Sequence, residues 1–294
     1  MESLPVNSKH EAGQALLLVL LSMAVVLTAA MSILSTSITD IAITSREEEA
    51  LRAFSAAETG IERALITGSS DSGTVGDAKF TATVTTVTGE SEFVYPVPIS
   101  SGESAVVWFV AHDTSGNLVC NSEYPCYSSS SGSIKVCWGQ EGTPSGTADT
   151  PAIEASVFYT ATPGDYSTVQ VAREVIDPWA DRRSSNNFVA TDGVGCTLGE
   201  TKFAFSKTLN MGDLNVLNYE TPNGVQFISL KTIYNTTAQP VGLSAGATLP
   251  AQGLLVESTG TSGEANRKVQ VFRAYGAPPP IFETALFSAT GISQ

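Results

Sequence analysis

The chain has 294 residues, room for one large or two small domains beyond any anchor. Its 29 acidic residues outnumber 15 basic ones for a formal net charge of −14, which favours solubility and argues against nucleic acid as a partner. Only 15 % of the residues are charged. Ser, Thr, Gly and Asn supply the rest of the polar surface, a balance that suits an exported β-rich protein better than a cytosolic enzyme.

Residues 1–13 form a short polar head in which Lys9 and the amino terminus stand against Glu2 and Glu11. An uncharged apolar run, Ala15 to Leu34, follows at once. As a helix it would cover roughly 30 Å, the hydrocarbon thickness of a bilayer. A cleaved secretory signal has a shorter apolar core and a small-residue cleavage site, and a buried core helix is rarely so long and uncharged. The run is therefore read as a single membrane-spanning helix. Lys9 on one side against Arg46 and Arg52 on the other does not support an N-terminus-inside topology. The cysteines and the polar β-rich remainder do, and a cytoplasmic-membrane anchor with an exported C-terminal head is expected.

No proline interrupts the chain between Pro5 and Pro96. From Ser35 to Leu65 the helix is expected to continue through residues rich in helix formers. Leu51, Phe54, Ile61 and Leu65 fall on one face and form the expected packing stripe. Glu48 and Arg52 make an i, i+4 pair. Gly60 is tolerated at a cost of about 1 kcal/mol, and Gly68 with the SSDSG stretch ends the helix.

The stretch GQALLLVLLSMAVVLTAAMS, followed by EEEALRAFSAAETGIERAL, resembles the N-terminal segment of PilX-type minor pilins and the related minor pseudopilins of type II secretion. The match runs over roughly residues 10–66. Its most specific part is Ala53, Phe54, Ala56, Ala57, Glu58, Gly60, Ile61 and Glu62. Ser258 to Ala274 is similar, more weakly, to a strand pair that closes such heads. The resemblance implies a leader ending at Gly13, with Gly13–Gln14 as the processing site. It also implies a helix half in the membrane and half in a head, and partners that are other pilin or pseudopilin subunits. If Gly13 ends the leader, the fifth mature residue is Leu18, where major pilins carry Glu.

Beyond Thr67 the pattern changes to period two. Expected strands are Phe80–Val87, Ser104–Ala111, Ser133–Trp138, Ile153–Thr160, Thr168–Val175, Lys202–Lys207, Val225–Ile233, Leu254–Glu257 and Lys268–Ala274. Phe282–Ser288 reads as a final strand or helical turn after the stiff Pro278–Pro280. The expected class is thus α+β: a long pilin-like membrane helix, 14–66, followed by a mainly antiparallel β head, 67–294, with a candidate subdivision near 178–200.

Little in the chain suggests chemistry. His10 lies in the polar N-terminal segment, which leaves His112 as the β head's single histidine, and no serine is assigned as a nucleophile. Asp113-Thr-Ser-Gly-Asn reads as a turn, with too few carboxylates for calcium. Cys120, Cys126, Cys137 and Cys196 lack the close paired spacing of zinc sites and are disulfide candidates. A local Cys120–Cys126 bond would leave Cys137–Cys196 as a longer staple, although all three connectivities remain open. Arg182-Arg183 reads as a solvated loop, and Asn235-Thr-Thr matches an N-glycosylation acceptor in a host with the machinery and is otherwise a surface loop. Trp108, Trp138 and Trp179 read as core or rim packing. No catalytic residue, cofactor or metal ligand is assigned. The expected function is a non-enzymatic, membrane-anchored minor pilin-like protein that contributes to type IV pilus or pseudopilus assembly. The alternative is a permanently anchored binding or adhesion module whose β head meets a ligand that the sequence does not name.

Overall fold

The computed structural model describes residues 12–87, 90–193 and 195–278, with backbone alone at 12–14, 34 and 36–39. The readings of residues 1–11 and of Phe282–Ser288 fall outside that range. The fold is α+β: one long apolar N-terminal helix, one short helix and antiparallel sheets. Two compact units divide it. The first holds the chain to Thr83 and Glu257–Gln270, and the second holds Val84–Val256 and the chain from Val271. The 178–200 stretch lies inside the second unit.

In the first unit, helix α1 runs Ala12–Thr67, 56 residues or about 84 Å. Its apolar half contains hydroxyls that find partners on the helix itself: Ser22 Oγ donates to Val19 O, and Thr28 Oγ1 to Ala24 O and Val25 O. That removes the cost of carrying them in an apolar solvent. Gly68 ends the helix at φ +67°, with its N–H bonded to Ala64 O at 2.8 Å. This is the left-handed position that favours glycine. The SSDSG stretch beyond it is partly strand, because β1 spans Asp71–Val75. A two-residue turn at Gly76–Asp77 joins β1 to β2 (Ala78–Val87). The sheet order is β1-β2-β14-β15, with β14 at Gly253–Ser262 and β15 at Ala265–Ala274. Along the chain β2, β14 and β15 each continue past the unit boundary. Arg63 Nε bonds Asp71 Oδ2 at 2.8 Å, tying the last turns of α1 to β1.

The second unit has two main sheets. One has the order β10-β11-β7-β13-β3, built from β10 (Cys196–Leu198), β11 (Thr201–Asn210), β7 (Ser133–Gln140), β13 (Val241–Ser244) and β3 (Glu92–Val94). The other is β4-β12-β8-β9, built from β4 (Ser104–Trp108), β12 (Val225–Ile233), β8 (Ala152–Thr160) and β9 (Val169–Ile176). Both contribute to one core. Ile134, Val136, Trp138, Leu209 and Leu243 come from the first sheet, and Val107, Ile153, Val157, Ile228 and Leu230 from the second. Within these sheets the neighbouring strands pair antiparallel. A small hairpin, β5 (Ala111–His112) and β6 (Leu118–Val119), turns at Asp113–Asn117. The Ser104–Ala111 run is thus two strands, because Phe109 and Val110 leave the ladder to bond Gln226 O. Helix α2 (Ala180–Asn186) and the short strands β1, β3, β10 and β13 are additions to the sequence reading.

Candidate assembly face and the head's polar clusters

The segment Ala15–Ile33 is long and apolar enough to cross a membrane, and none of it is buried within the protein. Twelve large apolar side chains between Leu16 and Ile33 are each 53–70 % exposed. At about 1.5–3 kcal/mol per side chain, leaving them in water forgoes on the order of 20 kcal/mol. That exceeds the whole stability of an ordinary domain. This surface requires an apolar solvent or a partner.

Further along, α1 seats itself by small residues. Ala53, Ala56, Ala57 and Ala64 are wholly buried, and Ile61 nearly so. They let the helix backbone approach β14 so closely that a Cβ on Gly260 would lie 1.9 Å from Ala53 O. A Cβ on Gly60 would meet Ser258 Oγ and the Phe80 ring. The Glu49 carboxylate accepts from Glu264 N–H at 3.2 Å, at the turn that joins β14 to β15. The expected stripe therefore divides. Ile61 is buried and Leu65 half-buried, while Leu51 (69 %) and Phe54 (43 %) stand exposed. The reason is geometric: where the helix comes closest to β14, at Ala53 and Ala57 against Gly260, only a methyl group or less fits, so Leu51 and Phe54 turn away. Leu51 and Phe54 instead line an open groove with Glu47, Ala50 and Arg267. Glu48 and Arg52 form their i, i+4 ion pair, exposed and so of little energetic weight. Gly13 and Gln14 lie in the first turn of α1.

In the head, Cys120–Cys126 and Cys137–Cys196 are disulfides. The first pins the turn in which Asn121 Oδ1 accepts from Glu123 and Tyr124 N–H. The second joins β7 to β10, with Cys137 packed on Leu198 and Phe203. Asp113 spends its carboxylate on Ser115 N–H, Asn117 N–H and the Asn117 amide, as a turn residue. His112 is buried, stacked on Tyr275 at 4.0 Å and edge-on to Trp108 at 4.6 Å. Burial pulls its pKa down, against smaller upward pushes from Asp113 and the Val110 backbone, so the ring is neutral at pH 7.

Two loop readings are corrected by the structure. Arg182 is no solvated charge: its side chain is 11 % exposed and clamps the wholly buried Asp177 through Nε and Nη2 at 2.7 and 2.8 Å. Its remaining bonds go to Thr150 O and Ala148 O. Desolvation pushes the Asp177 carboxyl up. The hydrogen bonds from Arg182, Trp179 N–H and Asn186, with the Arg182 charge, outweigh it and hold the carboxyl below the usual range. Asn235 is also buried, and its Nδ2 donates to Thr237 O, so the nitrogen of the glycosylation-like triplet is already engaged. The chain matches no protein-family model, no curated protein and no solved structure with which it was compared.

Proposed function

We propose that the protein is a non-enzymatic, membrane-anchored, minor pilin-like subunit that takes part in type IV pilus or pseudopilus assembly through α1. The observation that supports this reading most is the continuity of that helix. An exposed, uncharged segment, Ala15–Ile33, runs without a break into a half seated on a sheet by Ala53, Ala56, Ala57 and Ala64. Such an element can exchange its apolar surface between lipid and a bundle of neighbouring helices while the head stays folded. Leu51 and Phe54, turned away from the protein's own sheet, supply side chains for those neighbours. The cytoplasmic membrane, with the head exported, is the proposed location, and the two disulfides agree with an oxidising compartment.

A permanently anchored binding module is the second reading. Leu18 favours it, standing five residues past Gly13 where an assembling pilin commonly carries an acid. A photo-crosslinking residue at Phe54 separates the two in the native envelope. Assembly gives adducts with other membrane-anchored helical subunits, enriched in sheared filaments. An anchored module gives no filament-associated adduct, and that result removes the assembly reading.

A further inference from the structure

Around Arg182 the second unit gathers two aromatic rings, Trp179 and Tyr234, with Phe188 beside Tyr234. The guanidinium is fixed by Asp177, Thr150 O and Ala148 O, so neither its position nor its neutralised charge is free to vary. It lies 4.0 Å from the Tyr234 ring centre and 5.3 Å from that of Trp179. The Phe188 ring stands 6.4 Å from Tyr234. Tyr234 is 42 % exposed, yet its backbone is held at φ +72°. A bulky residue in the left-handed region is strained, and such strain persists where the surroundings impose it, often at ligand sites. Asn or Gly would close the same bend at lower cost. The rim also carries unspent polar groups. The Tyr234 hydroxyl and Trp179 Nε1 make no hydrogen bond among the described residues, and Arg183 commits only Nη1, to Asp177 O and Pro178 O.

From this we infer a carbohydrate-binding platform on the head: Tyr234 and Trp179, with Phe188 beside them, take the C–H face of a pyranose, and the rim groups bond its hydroxyls. Rigid rings bind at low entropic cost, and a saturated guanidinium presents them without reorganising. The ligand is a neutral glycan. Arg182 is already neutralised by Asp177, and a chain of net charge −14 repels polyanions. The inference is independent of filament assembly and would hold for either reading of α1.

The test uses the full chain in a detergent without a sugar headgroup, probed on an array of neutral and acidic oligosaccharides. Neutral hexose or N-acetylhexosamine chains should be retained, and titration with a retained chain should change tryptophan fluorescence. Tyr234→Asn keeps a residue that tolerates positive φ, so the melting temperature should hold while affinity falls at least tenfold. Trp179→Phe keeps a ring and removes the Nε1 donor, and should weaken binding severalfold. Retention of acidic glycans only, retention of none, or affinity unchanged within twofold in both variants would overturn the inference. Should Tyr234→Asn fail to fold, Trp179→Phe decides alone.

Discussion

Replacing Gly60 by alanine should destabilise the first unit, although helix propensity argues the other way. In an isolated helix the change gains about 1 kcal/mol. Here the new Cβ would lie 2.2 Å from Ser258 Oγ and 2.8 Å from Phe80 Cδ2. Both neighbours are buried, so neither can swing into water. Relieving such overpacking costs about 1–3 kcal/mol, which leaves a net loss of up to about 2 kcal/mol. Among the described residues Ser258 Oγ has no hydrogen-bond partner, so Ser258→Ala removes the nearer clash without losing a bond. The double variant should therefore recover part of the loss, a coupling expected only between touching residues. Gly260→Ala should cost more than Gly60→Ala, because its Cβ would meet two backbone atoms, Ala53 O at 1.9 Å and Ala57 N at 2.6 Å. Hydrogen exchange of the β2 and β14 amides, on the full chain in detergent, reads the result. A loss of 2 kcal/mol corresponds to about thirtyfold faster exchange through global opening. Slower exchange in Gly60→Ala, as propensity alone demands, would refute the seating of α1 on this sheet.

Leu21→Arg places a charge near the middle of Ala15–Ile33 at a cost of about 2.5–3.5 kcal/mol on insertion scales. Fractionation should find the variant released from membranes, and undiminished retention would contradict an anchoring role for the segment. On the chain-entropy account, removing Cys137–Cys196, with its separation of 59 residues, should cost about 4 kcal/mol. Removing Cys120–Cys126, with a separation of 6, should cost about 2 kcal/mol. Denaturant melts giving the reverse order would reject that account. Asp177→Ala leaves Arg182 buried without its partner and should cost about 3–5 kcal/mol. Because the folded carboxyl lies below its unfolded value, the unfolded chain binds more protons in acid. The stabilisation is whole above the ordinary aspartate value of about 3.9 and is lost as pH falls through the lower folded value. Asp177→Asn should flatten that acid limb of a stability–pH curve, and an unchanged limb would show that the carboxyl does not carry it.

The long apolar helix and most strands were legible because each rests on a one-dimensional pattern. Twenty uncharged residues mark α1, and alternation in FTATVTTV marks β2, whose Ala78, Phe80 and Ala82 point inward. The seating face was not read, because large residues draw attention and the true contact uses small ones. The signal was nonetheless present: Ala53, Ala56, Ala57, Gly60 and Ala64 recur at helical spacing. Short strands such as β3 and β13 escape because three or four residues carry no period, and their pairing with β7 or each other is long-range. The Asp177–Arg182 clamp escapes for a similar reason. Its acceptors Ala148 O and Thr150 O lie more than thirty residues away in sequence. An Asp-Pro-Trp stretch ahead of an Arg-Arg pair reads equally well as an exposed turn.

The assembly reading rests on α1 entering a filament, and the N-terminal sequence with intact mass of the protein recovered from the native cell envelope tests it most directly. A subunit that assembles in the manner of a pilin should begin at Gln14, cut after Gly13. A chain that still begins at Met1 would contradict assembly by that route and leave the anchored binding module in its place.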